Sequence, residues 1–172
     1  LDENGRILTL YLAAQQVREQ LKFYAAVMTR PDFLKQLGAL MEELLTSCVT
    51  PDALHAAAAR LEGRLAQKIT ELALLYESYL SVCKTGRGDP VTRQMRLCEL
   101  LDETEFLDGR EVFLDGFSDF TALQMQIISA ILAHAKNVRV ALLTSGGQYA
   151  ACLTGNETEK QLRQLAARQG IE

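Results

Sequence analysis

The sequence predicts an α/β fold that is mostly helical: a helical segment over residues 1–101, then a partial parallel sheet over residues 102–172. Three features point there. Apolar residues recur at helical spacing through the first hundred positions. Near Glu111 the pattern changes to short apolar runs, Val112-Phe113-Leu114 and Val138-Arg139-Val140-Ala141-Leu142-Leu143, with a helix-length amphipathic stretch between them. The chain has 172 residues, 48% of them hydrophobic, with 3 Pro and no Trp, so long helices run uninterrupted and one medium domain or a small pair can form.

The elements follow in order. Ile7, Leu10, Ala14, Val17, Leu21, Tyr24 and Met28 alternate spacings of three and four, which places them on one helical stripe. Pro31 closes that stripe, because proline disfavours a helical residue before it. A second helix opens near Asp32, with Phe33, Leu37, Leu40, Leu44 and Cys48 as its apolar face. Thr50-Pro51-Asp52 reads as N-cap, first-turn proline and first-turn acid. The third helix carries Leu54, Ala57, Ala58 and Leu61, is interrupted or bent near Gly63, and continues through Leu65, Ile69, Leu72, Tyr76, Tyr79 and Cys83. Residues 84–90 read as a loop, and Asp89 as the N-cap of a short helix with Val91, Met95, Cys98 and Leu101. Residues 102–110 are acidic and turn at Asp108-Gly109.

From Glu111 the reading is strand, helix, strand, helix. Val112-Phe113-Leu114 is a short buried strand ending at Asp115. Thr121 caps a helix to about Lys136, with Leu123, Ile127, Ile128, Ile131 and Leu132 inward, and residues 138–143 form the second strand. This spacing makes a βαβ unit with parallel strands and a right-handed crossover. A loop over 144–156 precedes a last helix carrying Leu162, Leu165 and Ala166 and stopping near Gly170.

A net charge of −4 gives no electrostatic case for autonomous DNA binding. Arg18, Lys22, Arg30, Lys35, Arg60, Arg64 and Lys68 could line a DNA path, but Glu19, Glu42, Glu43, Glu62 and Glu71 are interleaved with them, as on a solvated face. Cys48, Cys83, Cys98 and Cys152 are widely spaced and form no C-x-x-C pair, and His55 and His134 are remote from them. The expectation is buried thiols of a cytoplasmic protein and no metal site. No apolar run of about 18 residues spans a membrane. Tyr76 and Tyr79 sit at core spacing. A chain beginning at Leu1 is expected to be a piece of a longer one.

The stretch Glu111-Val112-Phe113-Leu114-Asp115-Gly116-Phe117-Ser118-Asp119-Phe120-Thr121-Ala122-Leu123-Gln124 carries the most chemistry. A strand ending in Asp-Gly is often only a βα turn. The register of Asp115, Asp119 and Gln124 also follows motif II of superfamily 1 helicases, D-E-x-Q-D-x-x-x-x-Q, with Gly116 in place of the glutamate and Ser118 in place of the glutamine. In a motor the aspartate holds magnesium and the glutamate orients water. Here the first is kept and the second lost, so Asp115, Asp119 and Gln124 are read as a remnant nucleotide-binding set, with no catalytic residue. Thr85-Gly86-Arg87-Gly88-Asp89 lacks the Gly-Lys-Ser/Thr ending of a phosphate loop. Thr144-Ser145-Gly146-Gly147-Gln148 matches a helicase sensor loop only in its glutamine.

Other stretches carry a wider resemblance: Leu1-Asp2-Glu3-Asn4-Gly5-Arg6, Leu21-Lys22-Phe23-Tyr24, Arg30-Pro31-Asp32-Phe33, Thr50-Pro51-Asp52-Ala53-Leu54, Leu65-Ala66-Gln67-Lys68-Ile69, Leu75-Tyr76-Glu77-Ser78-Tyr79 and Phe113-Leu114-Asp115-Gly116-Phe117. The chain resembles the B subunits of the AddAB (RexAB) helicase–nucleases, which process double-strand DNA ends. The resemblance implies a partial P-loop-NTPase-like, superfamily 1 helicase-like sheet, with residues 1–101 as the helical subdomain inserted before motif II. It implies a non-catalytic scaffold and DNA-scanning role beside the A subunit in DNA repair and recombination. ATP with magnesium and an iron–sulfur cluster are implied only for the parent protein, through a phosphate loop upstream and nuclease and cluster residues downstream. Two alternatives stay open: a nucleotide-binding ATPase whose activating residue comes from elsewhere, and a helical interaction adaptor. A sheet of two strands is further expected to self-associate through Val112, Leu114, Val140 and Leu142.

Overall fold

The computed structural model describes residues 3–85, 90–145 and 149–171. It is mostly helical, with one two-stranded parallel sheet, and it divides into two compact units, Leu1–Arg93 and Gln94–Glu172.

The first unit is built on α4 (Gly63–Thr85), against which α1 (Glu3–Gln16) and α3 (Pro51–Ala58) pack, while α2 (Pro31–Thr46) packs on α1. Gly63 opens α4 at φ +62°, the left-handed region that glycine tolerates, so of the interruption or bend expected there the structure has the interruption, after α3. Thr50 caps α3 as its sequence requires, accepting the Ala53 N–H at 3.2 Å. Leu72, Ala73, Leu75, Tyr76, Tyr79 and Cys83 of α4 are buried, with Leu10, Ala13 and Ala14 of α1. Tyr76 and Tyr79 are each 1% exposed, so they are packing residues that no base can reach.

Two expectations are corrected in this unit. The first helix ends at Gln16, not near Pro31; a 3-10 turn at Arg18–Gln20, a bend over residues 22–24 and a turn over residues 25–29 follow. Leu21, Tyr24 and Met28 are buried all the same. The inward face of α2 is Leu34, Leu37, Met41 and Leu45, one position away from the predicted stripe, of which Phe33, Leu40, Leu44 and Cys48 are only half-buried. Gly38 sets this face: a Cβ there would lie 3.3 Å from Leu10 Cδ1, so its absence lets α1 come close.

In the second unit β1 (Glu111–Leu114) pairs in parallel with β2 (Asn137–Val140), Val112 opposite Val138 and Leu114 opposite Val140. Helix α6 (Ala122–His134) makes the crossover, as the βαβ reading required. Leu101 of α5 (Pro90–Glu103), Leu107 and Ala130 form a small buried cluster, joined by Val112, Ile127, Ile131 and Ala135. The last helix, α7, runs Leu153–Arg168 and starts earlier than expected, after a 3-10 turn at Ala150–Cys152. The predicted N-cap Asp89 and Gly146, Gly147 and Gln148 of the glycine-rich loop lie outside the described residues.

The second strand is shorter than the predicted 138–143, and both strands are less covered than the sequence suggested. Neither strand has a buried residue; each alternates exposed and half-buried. Val112, Leu114, Val140 and Leu142 are half-buried on the side of α6 and α7, so the surface expected to be left bare by these four is partly covered within one chain. The open face is the other one, where Phe113 is 63% exposed and lies beneath Arg139, its guanidinium carbon 5.4 Å from the ring centre. Of the four thiols only Cys83 is buried; the other three are half-buried.

Candidate functional site

The loop between β1 and α6 places the remnant set. Asp115 follows the last residue of β1 and is exposed; its Oδ1 accepts the N–H of Gly116 at 2.8 Å. Gly116 has φ +82°, where any side chain is strained, and a Cβ there would meet nothing within 4 Å. Phe117 and Phe120 stack on each other with ring centres 5.0 Å apart. Asp119 is exposed beside Ser118, whose hydroxyl donates to it at 3.3 Å.

Gln124 is taken up by its own helix. Thr121 is the N-cap of α6, and a full capping box closes on it: the Gln124 N–H donates to Thr121 Oγ1 at 3.3 Å, and Gln124 Oε1 accepts the Thr121 N–H at 2.9 Å. Asp115, Asp119 and Gln124 thus share one loop and helix start, each engaged in a local hydrogen bond. Among the described residues no group of three or more His, Cys, Asp and Glu is assembled to hold a metal ion. For magnesium the loop offers exposed single carboxylates rather than a formed centre.

Helix α7 holds this loop from the side, which sequence reasoning missed. Thr158, 4% exposed, donates its hydroxyl to the Ser118 carbonyl at 3.0 Å. Asn156 Oδ1 accepts the Ser145 N–H at 2.9 Å, so the same turn of α7 grips the chain leaving β2. Gly155 makes that grip possible, since a Cβ there would sit 2.0 Å from the Leu143 carbonyl oxygen. Glycine inside a helix is unfavourable unless something needs the space, and that was the available signal. An apolar groove of about 460 Å³ lies between α6, β2 and α7, lined by Ile128, Leu132, Val138, Val140, Leu142 and Leu162 and rimmed by the Glu159–Arg163 ion pair. It includes none of the three predicted site residues.

The second polar centre lies in the helical unit, at Glu71. It is 3% exposed, and its carboxylate accepts the backbone N–H groups of Lys22, Phe23 and Tyr24 at 2.8–3.0 Å and the Gln67 amide at 3.2 Å. Burial alone would raise its pKa; the N–H groups of Phe23, Tyr24 and Lys22 and the Gln67 amide outweigh burial and hold it below the ordinary carboxylate range. Residues 22–24 donate to this carboxylate rather than to an i−4 carbonyl, so no helix runs through them. Nearby, burial pushes the Tyr76 hydroxyl up to about 12, with the Cys48 thiol adding to it. That hydroxyl donates to the Val49 carbonyl at 3.1 Å.

A family model described as "ADDB, N-terminal" matches residues 1–172. The chain is 32% identical over 188 residues to the B subunit of the ATP-dependent helicase/deoxyribonuclease of Moorella thermoacetica, covering 99% of this chain and 16% of that protein. It is 26% identical over 187 residues to the protein of the same name from Symbiobacterium thermophilum, again 99% of this chain and 16% of the relative. Against the one from Staphylococcus haemolyticus the identity is 27% over 172 residues, 96% of this chain and 14% of the relative. The chain therefore spans only 14–16% of the length of these curated relatives.

Proposed function

The chain belongs to the ADDB N-terminal family, and on that premise we propose that it is part of a B subunit that processes DNA ends together with a partner A subunit. Its share of the work is a non-catalytic, helicase-like scaffold that supports DNA scanning. In this reading β1 and β2 belong to a larger P-loop-NTPase-like, superfamily 1 helicase-like sheet. Residues 1–101 are the helical subdomain inserted before motif II, and residues 102–172 the partial α/β domain. The parent, not this chain, carries ATP with magnesium and an iron–sulfur cluster.

The observation that supports a scaffold over a motor is Gly116. A motor needs a carboxylate straight after the magnesium aspartate to orient water. Here that position has no side chain and a φ of +82° that disfavours one. Gln124, another polar group of the motif, is engaged in capping α6.

Steady-state ATP hydrolysis is the test. The chain should show none above a buffer control; hydrolysis that disappears in Asp115→Ala would overturn the scaffold reading. The assignment to a B subunit has its own test, capture of the A subunit by the full-length protein carrying this region. At about 150 mM salt the isolated chain should bind DNA no tighter than the roughly 10⁻⁴–10⁻⁶ M of non-specific binders.

A further inference from the structure

We propose that Arg64, Lys68 and Lys22, gathered around Phe23, form a patch that contacts the phosphates of a nucleic-acid strand without reading its bases. The inference rests on the DNA-processing role proposed for the parent, which supplies the class of polyanion.

Arg64 and Lys68 lie four residues apart on α4, and both reach over the same ring: the Arg64 guanidinium carbon is 5.2 Å and the Lys68 Nζ 5.8 Å from the Phe23 ring centre. Both side chains are exposed, as is Lys22, the residue before Phe23. Cation–π contact holds the two cations in place and leaves their N–H donors uncommitted. Among the described residues none of the three cations forms an ion pair.

Glu71, Glu42 and Glu62 form no ion pair with this group. Glu71 is buried and turned to the backbone N–H groups of residues 22–24. Glu42 pairs with Arg6, and Glu62, two residues from Arg64, pairs with neither cation. A planar guanidinium suits an anion with two oxygens in a plane. Four residues of helix place the Cα atoms of Arg64 and Lys68 about 6 Å apart along α4, the scale of successive phosphates on a strand. Phosphate contacts carry no sequence information. Binding should therefore be indifferent to sequence and steeply dependent on salt.

The test is titration of the 172-residue chain with a fluorescein-labelled single-stranded oligonucleotide from about 20 to 150 mM salt. Arg64→Ser/Lys68→Ser should lower the slope of log K against log salt by about 1.4, at roughly 0.7 for each phosphate of a single strand that is no longer neutralised. The charge-conserving pair Arg64→Lys/Lys68→Arg should keep the wild-type slope, and Arg168→Ser, on α7, should also leave it unchanged. Equal slopes in wild type and the double serine variant, or no binding at the lowest salt, would overturn the patch. Equal binding of poly-glutamate, abolished in the double serine variant, would also overturn it, in favour of an acidic protein segment. Capture of the A subunit by the full-length B subunit tests the underlying role separately, since the patch can fail while that capture succeeds.

Discussion

The helical unit and the α/β unit differ in how completely their interiors are closed. In Leu1–Arg93 the interior is continuous from α1 through α4, and its polar groups are tied across long stretches of chain: Glu71 to residues 22–24, the Ser78 hydroxyl to the Ala13 carbonyl, the Tyr76 hydroxyl to Val49. In Gln94–Glu172 the buried apolar residues among those described are Leu101, Leu107, Leu123, Ile128 and Ala130, and one sheet face is open at Phe113. Parallel sheets bury both faces in finished domains. The first unit is thus a closed core and the second a half layer, and their charges follow: acids and bases balance in the first, so the net −4 falls on the second. A closed core can hold an irregular segment with a buried charge, whereas the half layer holds its loop after β1 with short-range hydrogen bonds on exposed carboxylates, a capping box and one hydroxyl from α7.

The contrast breaks most sharply at Glu71. Glu71→Ala leaves three backbone N–H groups inside the helical unit without an acceptor and should cost about 3–5 kcal/mol, read from the denaturant midpoint. An unchanged midpoint would show that water replaces the carboxylate and that the core is not closed. Acid tests the same residue through its depressed pKa. Its stabilisation is fully present above the unfolded value of about 4.3 and is lost as pH falls through the lower folded value. Stability should decline over that window in the wild type and decline less in Glu71→Gln; identical slopes would place the acid sensitivity elsewhere.

Smaller effects belong to the α/β unit. At an ordinary helix position Gly155→Ala would stabilise by about 1 kcal/mol. Against the Leu143 carbonyl it should instead destabilise by about 1–3 kcal/mol as α7 is pushed off the chain leaving β2. The sign of the change in melting temperature decides. Thr121→Ala removes one half of the capping box and should cost about 1 kcal/mol, seen as faster amide exchange in the first turn of α6. No change there would mean the box contributes little in so open a unit.

What was legible in the sequence was local. Thr50-Pro51-Asp52 and Thr121 announced their helices because a cap is made by residues three apart. The parallel pairing of β1 and β2 followed from the length of chain between them. The non-helical course of residues 22–24 was not legible, because their N–H groups go to a carboxylate 47–49 residues away. The face of α2 was misplaced by one position because Gly38, which fixes the close approach, has no hydropathy to register. In the loop after β1 the same glutamine suits a motor motif and a capping box, and one sequence cannot separate the two. The structure shows Gln124 capping α6.

The Glu71 contacts also have a place in time. Helices and i,i+3 turns form from neighbours, but a carboxylate that must meet amides nearly fifty residues earlier waits for a large loop to close. It also sheds its water only when α4 is already seated. Such bonds are expected to form late, after the folding barrier is crossed. Interactions absent from the transition state slow unfolding without hastening folding, so Glu71→Ala should speed unfolding and leave the folding rate unchanged, the behaviour of a latch on the lifetime of the helical unit.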